Sequence, residues 1–198
     1  MGAQPPEVTL VVVTHDSAQP LRAFFAALSS ALADVDGYEI VVADNASRDE
    51  TVELVAELAP EATVVRLGRN AGYAAGINAA VARARRSRAV LVCNPDVRLH
   101  PGAVRCLLDA LTVPVRPGAP AVGPALPMPE FPVHEVGIVV PRLVEADGRL
   151  SLSLRREPRV LRALGEAVLG GTRAGRFPAL GEVVSDPRCF VRPCSADW

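Results

Sequence analysis

The sequence predicts an α/β sandwich in which helices cover both faces of a mostly parallel central sheet. Its 198 residues are 49% hydrophobic, which is enough to bury one sizeable core. Short runs of β-branched residues alternate with amphipathic stretches of about 10–15 residues. Strands that are apolar along their whole length are typical of parallel sheets covered on both faces.

The first 111 residues contain this alternation four times. We expect strands at residues 8–13, 38–43, 63–67 and 89–93, helices at about 21–32, 73–86 and 101–111, and a helix after the second strand that runs through about residue 58. Ser47 and Glu50 have the spacing of a capping box, which should open the second helix. Pro60 ends that helix, and Pro101 suits the first turn of the fourth.

The remaining sequence is less regular. Seven of the chain's 18 prolines lie between Pro114 and Pro132, which predicts an inserted surface loop. A strand is expected at 136–141 and a hairpin on Asp147-Gly148, because Asp-Gly favours tight turns. A helix should follow from about 158 to 169, and an irregular tail should run to the end of the chain.

Composition excludes several classes of protein. The 21 basic residues are all arginines and face 22 acidic ones, so the net charge of -1 argues against a nucleic-acid partner. Absence of lysine excludes a Walker A site. The four cysteines are spaced too irregularly for zinc pairs, and no signal peptide or membrane-spanning run is evident. We therefore expect a reduced, cytoplasmic protein.

Carboxylates follow three of the predicted strands, at Asp16, Asp44 and Asp96. Ligands of parallel α/β sheets bind at the carboxyl ends of the strands, so these residues are candidate binding groups. Asp44 fits helix capping as well as ligand binding. Asp96 comes directly after Asn94-Pro95 and is a suitable oxygen ligand for Mg²⁺ or Mn²⁺ on a nucleotide diphosphate.

Four segments, VVVTHDS, VVADNASRDET, LGRNAGYAAGINAAV and LVCNPDVRLHPGAV, resemble the donor half of family 2 glycosyltransferases with the GT-A fold, most closely the rhamnosyltransferase-like branch. The resemblance implies a nucleotide-binding sandwich and a set of donor-binding residues. These are Thr14, His15 and Asp16 beside the base, Asp44 hydrogen-bonded to it, Asn70, Gly72 and Asn78 lining the donor site, and Asn94 with Asp96, where Asp96 holds the metal.

The chemistry of these residues suits that role. The carboxylate of Asp44 accepts hydrogen bonds, which favours the N–H of uracil or thymine over adenine. Gly72 and Gly76 would let the backbone approach a ligand closely. Arg69 is a candidate partner of the diphosphate, with a solvated surface arginine as the alternative.

The resemblance also implies a domain organisation. We expect a single domain over 1–198, with a donor-binding part at 8–111, the proline-rich insert at 114–132 and a partial acceptor-side part at 136–198. In the family such a segment continues into an acceptor-facing helix and a catalytic base. The base is therefore expected beyond Trp198, the catalytic residue is unknown, and the chain is predicted to be truncated, as a fragment or a frameshifted product.

The leading functional hypothesis is an inverting glycosyltransferase of cell-wall or polysaccharide synthesis. It would move a sugar from a UDP- or dTDP-linked donor, with dTDP-rhamnose as one candidate, to a saccharide or lipid-linked acceptor. The alternative is a nucleotide-diphosphate-binding fragment without transferase activity. A nucleotidyltransferase is disfavoured because THDSAQP lacks a glycine-rich basic signature, and an NAD-dependent oxidoreductase because the glycines do not spell G-x-G-x-x-G.

Location and assembly stay open at this level. A lipid-linked acceptor would bring the protein to the inner face of the plasma membrane, yet no amphipathic basic helix is evident to support peripheral association. A homodimer is compatible with the sequence, because apolar faces normally covered by a missing part would be exposed.

Overall fold

The computed structural model describes residues 4–112 and 137–184. They belong to two compact units, Met1–Asp109 and Ala110–Trp198. The predicted proline-rich insert at 114–132 lies outside the described residues. The expected single domain with its three parts stays a prediction.

The first unit is built on a parallel four-stranded sheet in the order β3-β2-β1-β4. Strands and helices alternate as predicted, which confirms the α/β fold class. The elements are β1 (Val8–Thr14), α1 (Ala18–Ala31), β2 (Tyr38–Asp44), α2 (Thr51–Leu58), β3 (Thr63–Arg66), α3 (Tyr73–Arg83), β4 (Ala89–Cys93) and α4 (Ala103–Ala110).

The core lies on both faces of the two central strands. Every residue of β1 is buried, and alternate side chains point to opposite faces. Val11 and Val13 pack with β2 and with Ala80 of α3 on one face. Leu10 and Val12 point to the other face and are fully buried there. Both faces are therefore covered, as the continuous apolar runs predicted.

The register places three loops at one edge of the sheet. Thr14 at the end of β1 is paired with Asp44 at the end of β2, which in turn is paired with Arg66 of β3. Because the strands are parallel and end in step, the loops that follow them leave from the same edge. This edge holds the residues that the sequence singled out.

A polar clamp closes the opposite edge, where the strands begin. Glu7 precedes β1, and its carboxylate accepts two hydrogen bonds from Arg105 of α4, at 2.8 and 3.1 Å. Arg88 contacts the same carboxylate at 3.3 Å, and the Asp36 N–H donates to it at 3.1 Å. The hydrogen bond from Arg105 lowers the pKa of Glu7, although burial opposes it. Through Glu7, the start of β1 is therefore bonded to α4 by Arg105, to the segment before β2 by Asp36 and to the segment before β4 by Arg88.

Two local predictions are wrong. Helix α2 begins at Thr51, and its N-cap residue Glu50 makes no side-chain cap bond. The capping box does not form because the Ser47 hydroxyl donates to Asp44 instead. The strand expected at 136–141 is not formed in its described part, 137–141, where Ile138 is 75% exposed. In this part the consecutive apolar residues Ile138, Val139 and Val140 form no strand pairing.

Residues 137–184 of the second unit contain a small hairpin and two helices. Val144 and Leu150 form an antiparallel bridge around the predicted turn, and Gly148 has a φ of +80°, which glycine adopts readily. The predicted helix is confirmed as α5 (Val160–Leu169), followed by α6 (Gly171–Ala174). Within the described ranges, no helix is long and apolar enough to cross a bilayer.

Candidate donor-binding site

Asp44 is the buried centre of the loops at the carboxyl edge. It is 4% exposed, and its carboxylate accepts hydrogen bonds from the Thr14 hydroxyl at 3.2 Å, the Ser47 N–H at 3.2 Å and the Ser47 hydroxyl. These bonds hold the turn after β2. Asp44 does not cap α2, whose N-cap residue is Glu50, so the helix-capping alternative is wrong. A carboxylate has about four acceptor positions, so one stays available to a further donor.

Ser47 also connects this turn to the loop after β1. Its hydroxyl oxygen accepts from the Asp16 N–H at 3.0 Å, and the Asp16 carboxylate accepts from the Arg48 N–H at 2.7 Å. Asp16 and Ala46 have φ values of 49° and 60°, in the left-handed region that non-glycine residues rarely adopt. Backbone strain of this kind concentrates at functional sites. The two loops therefore behave as one interlocked unit.

A second clamp joins the same two loops one turn further along. The Thr51 hydroxyl oxygen accepts from the Ser17 N–H at 2.8 Å, and the Asp49 carboxylate accepts from the Ala18 N–H at 2.9 Å. Burial raises the pKa of Asp49, but the hydrogen bonds from Thr51 and Ala18 outweigh it and the net shift is downward. These bonds fix the start of α1 against the start of α2.

Asn45 links β2 to the start of α3. This side chain is 3% exposed; its oxygen accepts from the Ala71 N–H at 3.2 Å, and its amide donates to the Gly72 carbonyl at 3.3 Å. Asn70 accepts from the Gly72 N–H at 3.1 Å. Gly72 is the N-cap of α3 and has a φ of +89°, which explains the glycine. The Asn/Gly loop is thus shaped by hydrogen bonds to its own backbone.

Helix α3 places two further candidates away from the strand ends. A Cβ atom on Gly76 would lie 2.7 Å from Cγ1 of Val13, so this glycine allows α3 to approach β1 and does not face a ligand, which corrects the expectation for Gly76. Asn78 is exposed, and it lies about 200° around the helix from buried Gly76. It projects from the opposite side of α3 and is not brought together with Asn70 and Gly72.

The loop after β4 carries Asn94 and Asp96, and both side chains are exposed. Tyr73, the first residue of α3, lies near this loop. Burial raises the pKa of Tyr73, and it is raised further by Cys93, when its thiol ionises at high pH, and by the negative charge of Asp96. Burial also raises the pKa of the Cys93 thiol to about 11, so it stays protonated at neutral pH. The effect of the Asp96 charge on Tyr73 means that the start of α3 is within electrostatic reach of the loop after β4.

His15 lies beside the Asp44 turn with 45% of its side chain exposed. Its backbone is fixed by mutual hydrogen bonds with Ser17, each 3.1 Å long. The ring is therefore held at the surface by its backbone, with a face open to solvent. Arg69 is exposed in the loop after β3.

The described side chains of the site contain too few metal ligands to bind a cation in the absence of substrate. Among the described residues, no group of three or more histidine, cysteine or acidic side chains has the geometry of a metal centre. Asp96 supplies one exposed carboxylate. That donor set fits Mg²⁺ or Mn²⁺ bound through one carboxylate together with substrate phosphates and water, and it does not fit a closed structural site.

Sequence reasoning missed the residues that connect the loops. Asn45, Ser47 and Asp49 all lie in the run DNASRDET, in which the sequence predicts a binding role for Asp44 alone and a capping role for Ser47. Their function depends on partners about 26 to 34 residues away in sequence, such as Asn45 with Ala71 and Thr51 with Ser17. The density of short polar residues directly after a buried strand was the available signal.

Comparisons with known proteins agree with this arrangement. The family described as Glycosyl transferase family 2 matches residues 9–115. Over 145 residues the chain is 30% identical to an N-acetylglucosaminyl-diphospho-decaprenol L-rhamnosyltransferase of Mycobacterium tuberculosis, an alignment that covers 68% of this chain and 46% of the relative. The chain spans about half the length of the curated relatives it matches.

Two solved structures are also similar in part. S. aureus TarS 1-349 is 18% identical with a TM-score of 0.47, covering 72% of this chain and 43% of that one. The mannosyltransferase PcManGT from Pyrobaculum calidifontis, in complex with GDP-Man and Mn²⁺, is 28% identical with a TM-score of 0.42, covering 48% and 29%. Since the family match spans more than half of the chain and includes all four loops of the site, the chain belongs to glycosyl transferase family 2.

Proposed function

We propose that the first unit binds a nucleotide diphosphate-sugar and that the chain serves sugar transfer, with inversion, to a saccharide or lipid-linked acceptor. The observation that carries the proposal is the hydrogen-bonded group of Thr14, Asp44, Ser47 and Asp16 at the carboxyl edge of the sheet. Parallel α/β sheets bind ligands at this edge, and the group lies within the segment that matches the family.

The base of the nucleotide is assigned to the loops after β1 and β2. Asp44 has an acceptor position left after its three internal hydrogen bonds, which suits the N–H of uracil or thymine. The exposed ring of His15 directly follows Thr14, the register partner of Asp44, and can stack on a base. Thr14 and Asp16 act here mainly by holding the Asp44 turn in shape.

The diphosphate is assigned to the side of the site that Asp96, Asn94, Asn70 and Gly72 border. Asp96 would hold Mg²⁺ or Mn²⁺ together with the phosphate oxygens. When bound, this ion supplies positive charge to the leaving diphosphate. The assignment of Asn78 to the donor site rests on the family resemblance alone, because its side chain projects away from Asn70 and Gly72.

The sugar and the acceptor are proposed from the curated relative. Its name describes L-rhamnose transfer to N-acetylglucosaminyl-diphospho-decaprenol. We infer a dTDP- or UDP-linked sugar as donor, with dTDP-rhamnose as the leading candidate. A lipid-diphosphate acceptor would place the reaction in cell-wall or polysaccharide synthesis, in the cytoplasm at the inner face of the plasma membrane. No catalytic base is assigned to any described residue.

Calorimetric titration of the chain with UDP and dTDP, with and without Mn²⁺, tests the donor site. We expect Mn²⁺-dependent binding that Asp96→Ala weakens about tenfold or more, since a lost charge-assisted metal contact has an energy of this order. Asp44→Asn should weaken binding in the presence and the absence of metal. Glu61→Ala, an exposed carboxylate before β3, is the matched control and should leave binding unchanged.

A folded chain that binds neither nucleotide would overturn the donor-site proposal. Sugar transfer is measured separately, as release of dTDP or UDP in the presence of a lipid-diphosphate acceptor. Binding without such release would replace the transferase with a nucleotide-diphosphate-binding module, the alternative left open by the sequence.

A further inference from the structure

Helix α5 of the second unit presents an apolar face to solvent. Val160, Leu164 and Val168 follow one another at four-residue spacing, which aligns them on one side of the helix. Val160 and Val168 are each 80% exposed and Leu164 is 58% exposed. Leu161 is 57% exposed and adjoins this side. We call these four residues the α5 face.

The polar residues of α5 point the other way, into the second unit. Arg162 donates to the Glu157 carbonyl at 2.6 Å and to the Pro178 carbonyl at 2.9 Å. Glu166 accepts from the N–H groups of Glu182 and Val183, at 2.8 and 3.1 Å. This is the reverse of a surface helix in a water-soluble domain, whose apolar side faces the core.

Close packing fixes this orientation. A Cβ atom on Gly165 would lie 2.2 Å from the carbonyl oxygen of Leu180, so the backbone of α5 is pressed against the segment before Val183. Rotating the helix to bury the α5 face would break the hydrogen bonds of Arg162 and Glu166. The exposed apolar face is therefore a consequence of how residues 137–184 fold, and none of these residues covers it.

Charge indicates which partner. The whole chain has a net charge of -1, but residues 137–184 contain eight arginines and five acidic residues, a net charge of +3. Arg155, Arg173 and Arg176 are exposed beyond the two ends of α5, and none of them forms an ion pair with another described residue. An apolar helix face in a segment with net positive charge and three exposed arginines without ion pairs among the described residues complements a surface that is apolar inside and anionic outside.

We propose that the α5 face inserts into the surface of a bilayer containing anionic lipids, with Arg155, Arg173 and Arg176 on the headgroups. Amphipathic helices bind such surfaces through buried apolar area together with electrostatic attraction. Helix α5 itself carries one arginine and one glutamate, so it is not a basic helix, and the net positive charge of the segment lies outside it. The proposal does not rest on nucleotide binding or sugar transfer, since it involves only the second unit.

Cosedimentation of the full chain with vesicles tests it, using phosphatidylcholine alone or in equal parts with phosphatidylglycerol. The chain should partition onto the anionic vesicles and dissociate at high salt. Val160→Glu with Val168→Glu should lower the partition coefficient about tenfold or more. Arg155→Gln, Arg173→Gln and Arg176→Gln together should lower it by about tenfold on anionic vesicles.

Ile138→Glu is the matched control, because it places the same charge on a residue that is 75% exposed and outside α5. It should leave partitioning unchanged, and circular dichroism should show that all variants keep their helix content. Failure to bind anionic vesicles, or equal binding by the α5 variant, would overturn the proposal. So would a dimer that the α5 variant dissociates in the absence of lipid binding, because the α5 face would then be covered by a second copy.

Discussion

The side chain of Asn45 bridges two loops of the donor-binding site by hydrogen-bonding the Ala71 N–H and the Gly72 carbonyl, at 3.2 and 3.3 Å. Asn45 is the neighbour of Asp44, whose carboxylate holds the turn after β2. The start of α3 is therefore held by the residue next to the proposed base-binding carboxylate. A substitution that displaces the loop after β2 should therefore also displace the loop before α3, and the reverse should hold as well.

Asn45→Ala should lower the free energy of unfolding by about 1–3 kcal/mol, because it removes two part-buried hydrogen bonds, with the Ala71 N–H and the Gly72 carbonyl. It should also weaken nucleotide diphosphate binding. Urea unfolding and calorimetric titration measure the two effects. Asn78→Ala, at an exposed position of α3, is the control and should change the free energy of unfolding by no more than about 0.5 kcal/mol. Equal effects of the two substitutions would contradict the bridging role of Asn45.

Gly76→Ala should destabilise the first unit by about 1–3 kcal/mol, the usual cost of overpacking a core. The new methyl would lie 2.7 Å from Cγ1 and 3.1 Å from Cγ2 of Val13, a β-branched residue with little rotamer freedom. Thermal unfolding measures the loss. The substitution would be harmless only if α3 could move away from β1.

The double variant Gly76→Ala with Val13→Ala separates this clash from general damage to α3. With glycine at position 76, Val13→Ala leaves a cavity. With alanine at position 76, the same substitution makes room for the new methyl. The two substitutions should therefore cost less together than the sum of their separate effects. Strictly additive losses would show that Gly76 is needed for another reason.

Ala46→Gly should raise the free energy of unfolding by about 1 kcal/mol. Ala46 has a φ of 60°, and a left-handed conformation costs a residue with a Cβ atom roughly 1–2 kcal/mol. Glycine avoids that cost but has a larger entropy in the unfolded chain. Ala56→Gly, the same substitution at an exposed position inside α2, should lower the free energy of unfolding by about 0.5–1 kcal/mol. Opposite signs for the pair would confirm that the turn after β2 is strained.

The fold of the first unit could be predicted because each strand and helix carries its own periodic signal. The four strand-end loops were located correctly for the same reason. The capping box failed because Ser47 has a stronger local partner in Asp44, which only the turn geometry reveals. Gly76 was assigned to a ligand because spacing does not show which side of α3 faces β1. The α5 face could not be foreseen, because periodicity shows that a helix is amphipathic and leaves open which side is buried.

The clamp on Glu7 predicts a loss of stability in acid. Hydrogen bonding from Arg105 lowers the pKa of Glu7 below its usual 4.5, so the unfolded chain binds the proton more readily than the folded one. Stability is then present above about pH 4.5 and is lost as the pH falls through the folded-state pKa. Glu7→Gln should cost about 1–2 kcal/mol at neutral pH, and its difference from the wild type should shrink in acid. Urea unfolding across the acid range measures this, with Glu61→Gln, an exposed residue, as the control. A difference that stays constant with pH would mean that the Glu7 side chain acts through packing and its charge contributes nothing.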